Sequence, residues 1–328
     1  MRFGAFVPQG WQLDLAGIPT DRHWETISGV ASRLEANGFE NAFVFDHFHT
    51  TPIPTQEVTY EAWTLMGALS VVTSTIRLGQ MCTCNSYRPP AYLAKVAASI
   101  DVLSGGRLDM GIGAGWYEHE YLGYGFEFPR PSVRIGQLEE AVQIMEKMWT
   151  EDEVHFDGKH YQLRGAICQP KPVQKPHIPL WIAGGGEEKT LRVAARHAAY
   201  TNFGITVEEF ARKSGILAGH CQEAGTDFDQ IVRSASFRIV IAESEAGVSE
   251  KLEAIRSHYG QFVDGEELEK RMRFYGHMAG TPDQLIERLQ PWIEAGASYA
   301  VCYFPLAAYD SSGIDLFGKT VLPSLAGT

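Results

Sequence analysis

The feature that most constrains the fold is a regular alternation of short apolar runs with segments of helical periodicity. Apolar runs that predict strands begin near residues 2, 41, 76, 107, 178, 200, 234 and 299, and helical patterns such as Arg134 to Met148 lie between them. Strands that alternate with helices predict parallel β-α-β units. A series of eight such units in about 300 residues predicts an α/β fold, a (β/α)8 TIM barrel, rather than an open doubly wound sheet.

The length of the chain bears on its domain organisation. A chain of 328 residues suits one barrel with loop insertions, so we predict a single domain over residues 1–328. Residues 151–177 break the strand-helix rhythm with Asp157-Gly158 and several prolines, and they predict a loop or small hairpin insertion.

Charge and composition restrict the partners and the compartment. The formal net charge of -12 argues against a nucleic-acid surface. The first residues reach polar Gln9 too soon for a signal peptide, and no apolar run is long enough to predict a membrane span. Five cysteines without regular spacing are typical of a reduced protein. We therefore expect a cytoplasmic protein whose partner is a small-molecule substrate, with neither nucleic acid nor a membrane as a partner.

Barrel enzymes carry their active sites at the carboxyl ends of the strands, so the residues that follow each predicted strand are candidates. Gly111-x-Gly113-x-Gly115 lacks the spacing of a dinucleotide fingerprint and also fits a tight loop. Gly184-Gly185-Gly186 precedes a helical pattern and predicts a phosphate site, with plain helix capping as the alternative. The polar strand-end residues are Gln9, Asp46, His47, His49, Thr83, Asn85, Trp116, Glu118, His119 and Asn202.

Asp46-His47-x-His49 follows the second strand and allows three interpretations. His47 could handle a proton with a carboxylate beside it, or it could be a structural histidine that only satisfies the strand end. His-x-His could also chelate a divalent ion, but the later strand ends lack the further ligands, so no metal is expected. Cys82-x-Cys84 without a second cysteine pair is typical of small buried strand residues.

Several motifs together resemble the luciferase-like monooxygenase superfamily. They occur in the right order over nearly the whole chain, and the sequence is most similar to the group of probable oxidoreductases that depend on coenzyme F420, a deazaflavin. Members that use FMN share much of this set. The motifs are Phe45-Asp46-His47, Leu78 to Cys84 with Tyr87-Arg88-x-Pro90-Ala91, Leu103 to Arg107, Gly113 to Glu118, and Ile182 to Gly186.

The resemblance implies a luciferase-like barrel with insertions at its C-terminal mouth and a flavin-type ring across that mouth. It implies that Asp46 and His47 are catalytic, with His47 handling a proton or stabilising charge. It also implies a non-proline cis peptide at Met81-Cys82 and a phosphate cradle at Ala183 to Gly186. The predicted cofactor-binding residues are Asp46, His47, Met81, Cys82, Thr83, Asn85, Gly113, Ala114, Gly115, Trp116, His119, Ala183, Gly184, Gly185, Gly186 and Asn202.

The reaction expected from the resemblance is hydride transfer between the deazaflavin C5 and a small organic substrate. Trp116 stands where sugar-phosphate dehydrogenases of the superfamily carry a catalytic glutamate, which argues against a sugar-phosphate substrate. The expected partners are a second copy of the chain, as a homodimer, and an F420-reducing enzyme as an indirect redox partner. The alternatives are an FMN-dependent monooxygenase with a reductase partner, a non-catalytic flavin-binding relative and, third, a metal hydrolase.

Overall fold

The computed structural model describes residues 1–327, and within them thirteen strands form. They are β1 (Arg2–Phe6), β2 (Asn41–Val44), β3 (Arg77–Gln80), β4 (Thr83–Cys84), β5 (Leu108–Gly113), β6 (Val154–Asp157), β7 (Gln162–Ala166), β8 (Leu180–Ala183), β9 (Tyr200–Asn202), β10 (Val232–Arg238), β11 (Val240–Ile241), β12 (Ala279–Gly280) and β13 (Tyr299–Tyr303).

The same residues form eleven α-helices. They are α1 (Thr20–Ala36), α2 (Ala62–Val72), α3 (Pro90–Leu103), α4 (Glu118–Gly123), α5 (Pro131–Thr150), α6 (Thr190–His197), α7 (Val207–Ala224), α8 (Glu245–Tyr259), α9 (Gly265–Gly276), α10 (Pro282–Glu294) and α11 (Ser312–Leu325). None of these helices combines the length and the hydropathy that a membrane crossing requires.

The strands β1, β2, β3, β5, β8, β9, β10 and β13 alternate with helices along the described chain. This alternation of eight strands with helices is the (β/α)8 barrel arrangement, so the predicted fold class is confirmed. The chain packs into two compact units, each made of segments that are separate in the sequence.

The first unit comprises Met1–Glu61, Gly204–Ala211 and the chain from Arg233 onward. Its strands lie parallel in the order β2-β1-β13-β10. Gly4 of β1 has no side chain, and the Phe43 ring and the Tyr299 hydroxyl occupy the space that a Cβ would need. The Tyr299 hydroxyl donates to the Asn41 side-chain oxygen at 2.6 Å, so a buried hydrogen bond and close packing fix this register.

The second unit comprises Ala62–Phe203 and Arg212–Val232. Its strands lie parallel in the order β9-β8-β5, and both β3 and β4 pair with β5. A bidentate ion pair joins Arg77 to the buried Asp109 at 2.5 and 3.0 Å. Helices α3 and α5 pack together, and the buried Trp149 indole N–H donates to the Ala94 carbonyl at 2.9 Å.

The structure differs from the sequence-based elements at several places. The third predicted strand, residues 76–84, is broken into β3 and β4 at residues 81–82. The seventh, predicted over residues 234–242, ends at Arg238, after which β11 pairs with β12. Helices α4 and α11 were not predicted. Residues 151–177 contain the antiparallel hairpin β6-β7. The sequence predicts a helix from Ser249, but α8 begins four residues earlier, at Glu245, because Ser244 caps it, accepting from Gly247 N–H.

The close approach of β5 to β3 explains one glycine of the Gly111-x-Gly113-x-Gly115 run. A Cβ added at Gly111 would overlap the carbonyl oxygen of Gln80. That oxygen belongs to the backbone at the end of β3, so it cannot move aside as a flexible side chain could. Position 111 therefore requires glycine for strand packing.

We expect Gly111→Ala to lower the free energy of unfolding by about 2 kcal/mol or more, because overpacking against backbone forces strands apart. Gly29→Ala is the matched control. Gly29 lies on an exposed face of α1 with open space around its Cα, so alanine should stabilise the helix by up to about 1 kcal/mol. Urea unfolding measures the free energy of unfolding of both variants. Equal stabilities for the two variants would contradict this packing.

Candidate functional site

Four predicted site residues of the second unit lie side by side at the carboxyl ends of their strands. A Cβ built at Gly113 would lie 2.8 Å from the Cys82 sulfur and 3.2 Å from the Ala183 carbonyl oxygen. Ala183 is paired in register with Asn202, and the Asn202 carbonyl accepts from Gly184 N–H at 3.1 Å. Parallel strands therefore bring these four residues into one row, as the strand-end argument predicts.

The peptide bond between Met81 and Cys82 is cis, which confirms that prediction. It separates β3 from β4, and the chain returns to pair with β5 at Thr83 and Cys84. Thr83 is fully buried, and its hydroxyl donates to the Gln80 side-chain oxygen at 2.5 Å. Thr83 thus ties together the two sides of the strand break.

Asn85 follows β4 and carries an unsatisfied polar atom. It is 1% exposed, its side-chain N–H donates to the Tyr161 hydroxyl at 3.3 Å, and its side-chain oxygen has no hydrogen-bond partner in the described chain. A buried oxygen without a donor is costly unless a ligand or water supplies one. Asn85 therefore offers an acceptor to a bound group.

Tyr161, which the sequence analysis did not single out, reaches Asn85 from the loop that joins β6 and β7. The carboxylate of Glu140 on α5 accepts from the backbone N–H groups of Lys159, His160 and Tyr161 at 2.8 to 3.0 Å. Burial raises the pKa of the Tyr161 hydroxyl, so it stays protonated. No periodic pattern marks a tyrosine in such a loop, which is why it was missed.

The packing of a tyrosine hydroxyl explains the third glycine of the Gly111-x-Gly113-x-Gly115 run. Gly115 has φ +79°, and the Tyr121 hydroxyl occupies the space of a Cβ there. That hydroxyl is 3.0 Å from the Cys84 sulfur, and burial raises the pKa of Tyr121. Gly113 and Gly115 thus lie close to atoms of the protein itself.

Trp116 and His119 lie on the outer side of this loop. The Trp116 ring stacks on Tyr117 with centroids 5.1 Å apart, and Tyr117 stacks on His119 at 5.9 Å. Trp116 is 62% exposed. A large exposed aromatic ring suits stacking on a planar ligand, and it carries no group for proton transfer.

The Gly184-Gly185-Gly186 segment differs from its sequence-based description in two ways. Helix α6 begins at Thr190, where the helical pattern of the sequence predicts it, but a turn separates the glycines from the helix N-terminus. Gly184 N–H already donates to Asn202, whereas the N–H groups of Gly185 and Gly186 donate to no group within residues 1–327. Two backbone donors remain for an anion.

A lysine side chain supplies the positive charge that the sequence analysis expected from the N-terminus of α6. The Lys213 ammonium lies against the Gly185 backbone, in the space that a Cβ there would fill. Its neighbour Arg212 is held by Glu187 at 2.7 Å. Lys213 lies within α7, far from any strand end, so no sequence signal pointed to it. Two N–H donors and an ammonium fit a phosphate.

The first unit positions Asp46 and His47 by a clamp on the end of β2. The Gln9 side chain donates to the Phe45 carbonyl at 2.8 Å and accepts from Phe45 N–H at 2.8 Å, and it is fully buried. The Gln9 amide thus forms with the Phe45 backbone the two hydrogen bonds that a neighbouring strand would otherwise form. Asp46 is 1% exposed, and the His47 ring is stacked on Trp11 with centroids 4.0 Å apart.

Asp14 fixes the loop that precedes this clamp. Its buried carboxylate accepts from Gly10 N–H at 2.6 Å and from the Tyr303 hydroxyl at 3.2 Å. Burial raises the pKa of Asp14 to about 6, and these hydrogen bonds oppose the rise. At neutral pH the loop therefore carries a buried negative charge whose desolvation is only partly compensated.

The interpretation of His47-x-His49 as a metal site would require at least one further ligand. Within residues 1–327 no group of three or more histidine, cysteine, aspartate or glutamate side chains is arranged to hold a metal ion.

The sequence matches one family model over most of its length. The model is described as luciferase-like monooxygenase, and it covers residues 1–315. A solved structure of an F420-dependent secondary alcohol dehydrogenase, in complex with an F420-acetone adduct, is similar with a TM-score of 0.78 at 22% identity. The similarity covers 97% of each chain and, at this identity, shows the fold.

Two relatives illustrate the range of similarity. An uncharacterized protein of Mycobacterium tuberculosis is 33% identical over 189 residues, which are 53% of this chain and 65%, less than two thirds, of that protein. The F420-dependent glucose-6-phosphate dehydrogenase of Nocardia farcinica is 27% identical over 327 residues, which are 90% of this chain and 92% of the relative.

The raised pKa of Asp14 predicts how its contribution to stability depends on pH. A carboxyl whose pKa is raised by folding from 3.8 to about 6 favours the folded state most below pH 3.8, and this advantage is lost as pH rises through about 6. Relative to Asp14→Asn, the wild type should lose about 2 kcal/mol of unfolding free energy between pH 4 and pH 7.5. Urea unfolding at both pH values measures the difference. A difference that is independent of pH would contradict the burial of this charge.

Proposed function

Because the chain belongs to the luciferase-like monooxygenase family, we propose that it is an oxidoreductase that uses coenzyme F420 and transfers a hydride between the deazaflavin C5 and a small organic substrate. The observation that carries the proposal is the anion site at Gly185 and Gly186 with Lys213. The F420-dependent dehydrogenase of Nocardia farcinica, similar over 90% of this chain, supports the choice of cofactor.

The residues of the second unit fit this cofactor. The N–H groups of Gly185 and Gly186 and the Lys213 ammonium would hold its phosphate. The unsatisfied Asn85 oxygen would accept from a ring N–H, and the exposed Trp116 ring offers a stacking surface. When bound, the cofactor supplies a two-electron hydride acceptor or donor at C5.

His47 is the residue that we assign to the proton. Oxidation of an alcohol or reduction of a carbonyl moves one proton with each hydride, and imidazole can hold or release a proton near neutral pH. Asp46, the buried residue that directly precedes His47 in the sequence, supplies a carboxylate. Trp116 replaces a glutamate with a ring that cannot transfer protons, so we propose a substrate other than a sugar phosphate.

The second candidate function is FMN-dependent monooxygenation with a reductase partner. The family description itself, luciferase-like monooxygenase, favours it, and an anion site for a ring-bearing phosphate would serve FMN as well. A deazaflavin has carbon in place of flavin N5 and reacts poorly with oxygen, so cofactor identity separates the two reactions.

Equilibrium binding tests the proposal directly. Purified apoprotein should quench F420 fluorescence at micromolar concentration or below and should bind FMN more weakly. Lys213→Ala should weaken F420 binding about tenfold, because it removes one charge-assisted contact of about 1.4 kcal/mol. Lys319→Ala, an exposed lysine on α11, is the matched control and should bind as the wild type does. Preference for FMN would favour the monooxygenase, and binding of neither would refute both assignments.

We also propose that the chain forms a homodimer through α2 and α3. These helices pack together, and Val71, Tyr92 and Leu103 on them remain 66%, 61% and 62% exposed. Apolar side chains that are exposed on two packed helices offer a surface that a second copy of the chain could cover.

Light scattering after size-exclusion chromatography should give a mass near twice 36.4 kDa for the wild type. Replacing both Val71 and Leu103 by glutamate should give monomers, because buried like charges oppose association. A wild type that is monomeric at all concentrations tested would overturn the homodimer.

A further inference from the structure

We propose that Trp11 is a positioning residue that fixes the plane of the His47 imidazole. The two rings are nearly parallel, with an interplanar angle of 7° and centroids 4.0 Å apart. Stacked aromatic pairs at this distance gain about 0.5–1.5 kcal/mol beyond burial. This inference rests on the role of His47 in the proposed function.

Trp11 is itself held firmly from several sides. Its ring packs on Phe45 at 4.3 Å, and Phe45 stacks on Phe6 at 3.8 Å. The Trp11 carbonyl accepts from Thr51 N–H at 2.8 Å. Only 8% of Trp11 is exposed, and its indole N–H has no hydrogen-bond partner in the part of the chain that is described. Trp11 is therefore held by ring packing and its backbone, and not by its polar atom.

The loop that carries Trp11 is rigid because buried groups satisfy its backbone. Asp14 accepts from Gly10 N–H, and Gly10 has φ +100°. The Gln12 carbonyl accepts from the Tyr259 hydroxyl at 2.7 Å, and the Leu13 carbonyl binds the His258 ring at 2.9 Å. Such a loop can hold a side chain in one orientation, as a mobile surface loop could not.

The same loop fixes the chain just before His47. Gln9 binds both backbone polar groups of Phe45, two residues before the histidine. One loop thus positions both the backbone that precedes His47, through Gln9, and the His47 ring, through Trp11. Since a displacement of about 1 Å can cost a catalytic group about a hundredfold in rate, such control of an imidazole has functional consequences.

The first test uses the full-length protein without cofactor, with ¹³Cε1-labelled histidine, and assigns the His47 signal from His47→Gln. Trp11→Met fills the space without a ring, and Trp11→Phe retains a ring. We expect Trp11→Met to remove the upfield ring-current shift of the His47 signal and to lower its side-chain order parameter. Trp11→Phe should preserve most of both. Unchanged signals from the other histidines show that each variant is folded.

Trp24→Leu, which removes an exposed tryptophan of α1, is the matched control and should leave His47 unchanged. If the order and shift of His47 are the same in Trp11→Met as in the wild type, the proposal is overturned. Any loss that Trp11→Phe fails to restore also overturns it, because the ring would then not be the cause.

The second test measures F420 affinity in a double-mutant cycle of Trp11→Met and His47→Ala. If Trp11 acts through His47, the double variant should bind F420 no more weakly than His47→Ala alone. Additive losses would overturn the positioning role while leaving the cofactor assignment intact. A wild type that binds no F420, but whose His47 order depends on Trp11, would refute the proposed cofactor and retain the positioning of His47.

Discussion

The approach of β5 to the broken β3-β4 strand is the constraint on which the candidate site in the second unit depends. The Gln80 carbonyl stands where a side chain at position 111 would be, and the Cys82 sulfur stands 2.8 Å from a Cβ at position 113. At positions 111 and 113 the backbone of β5 therefore packs directly against the Gln80 carbonyl and the Cys82 sulfur. The ends of the neighbouring strands consequently form one row. Glycine at positions 111 and 113 therefore serves the packing of the protein itself.

The two units build their candidate groups by different physical means. In the second unit the proposed anion site would use backbone N–H groups, with the charge supplied by a lysine from a helix. In the first unit a buried amide and a buried carboxylate hold the loop and the strand end that carry Trp11 and His47. Asp14 is ionised at neutral pH at a cost in stability, which is typical of residues retained for function.

The fold class and the strand-end positions were predictable from periodicity. The cis peptide at Met81-Cys82 was expected only from the resemblance to a known family. Lys213, Tyr161 and Trp11 were not identified, since each reaches its neighbours only through tertiary packing. Residues 76–84 were predicted as one strand, although the resemblance placed a cis peptide within them. The start of α6 at Thr190 was predicted, yet the intervening turn weakens the helix-end argument, and the charge of Lys213 replaces it.

The proposed reaction depends on the cofactor being a deazaflavin. The most direct measurement is mass spectrometry of the cofactor that remains bound when the protein is purified, under native conditions, from a host that makes both F420 and FMN. We expect F420 to be recovered in preference to FMN, and we expect Lys213→Ala to retain less F420 than the wild type. Recovery of FMN alone would contradict the account and would assign the chain to oxygen-dependent chemistry.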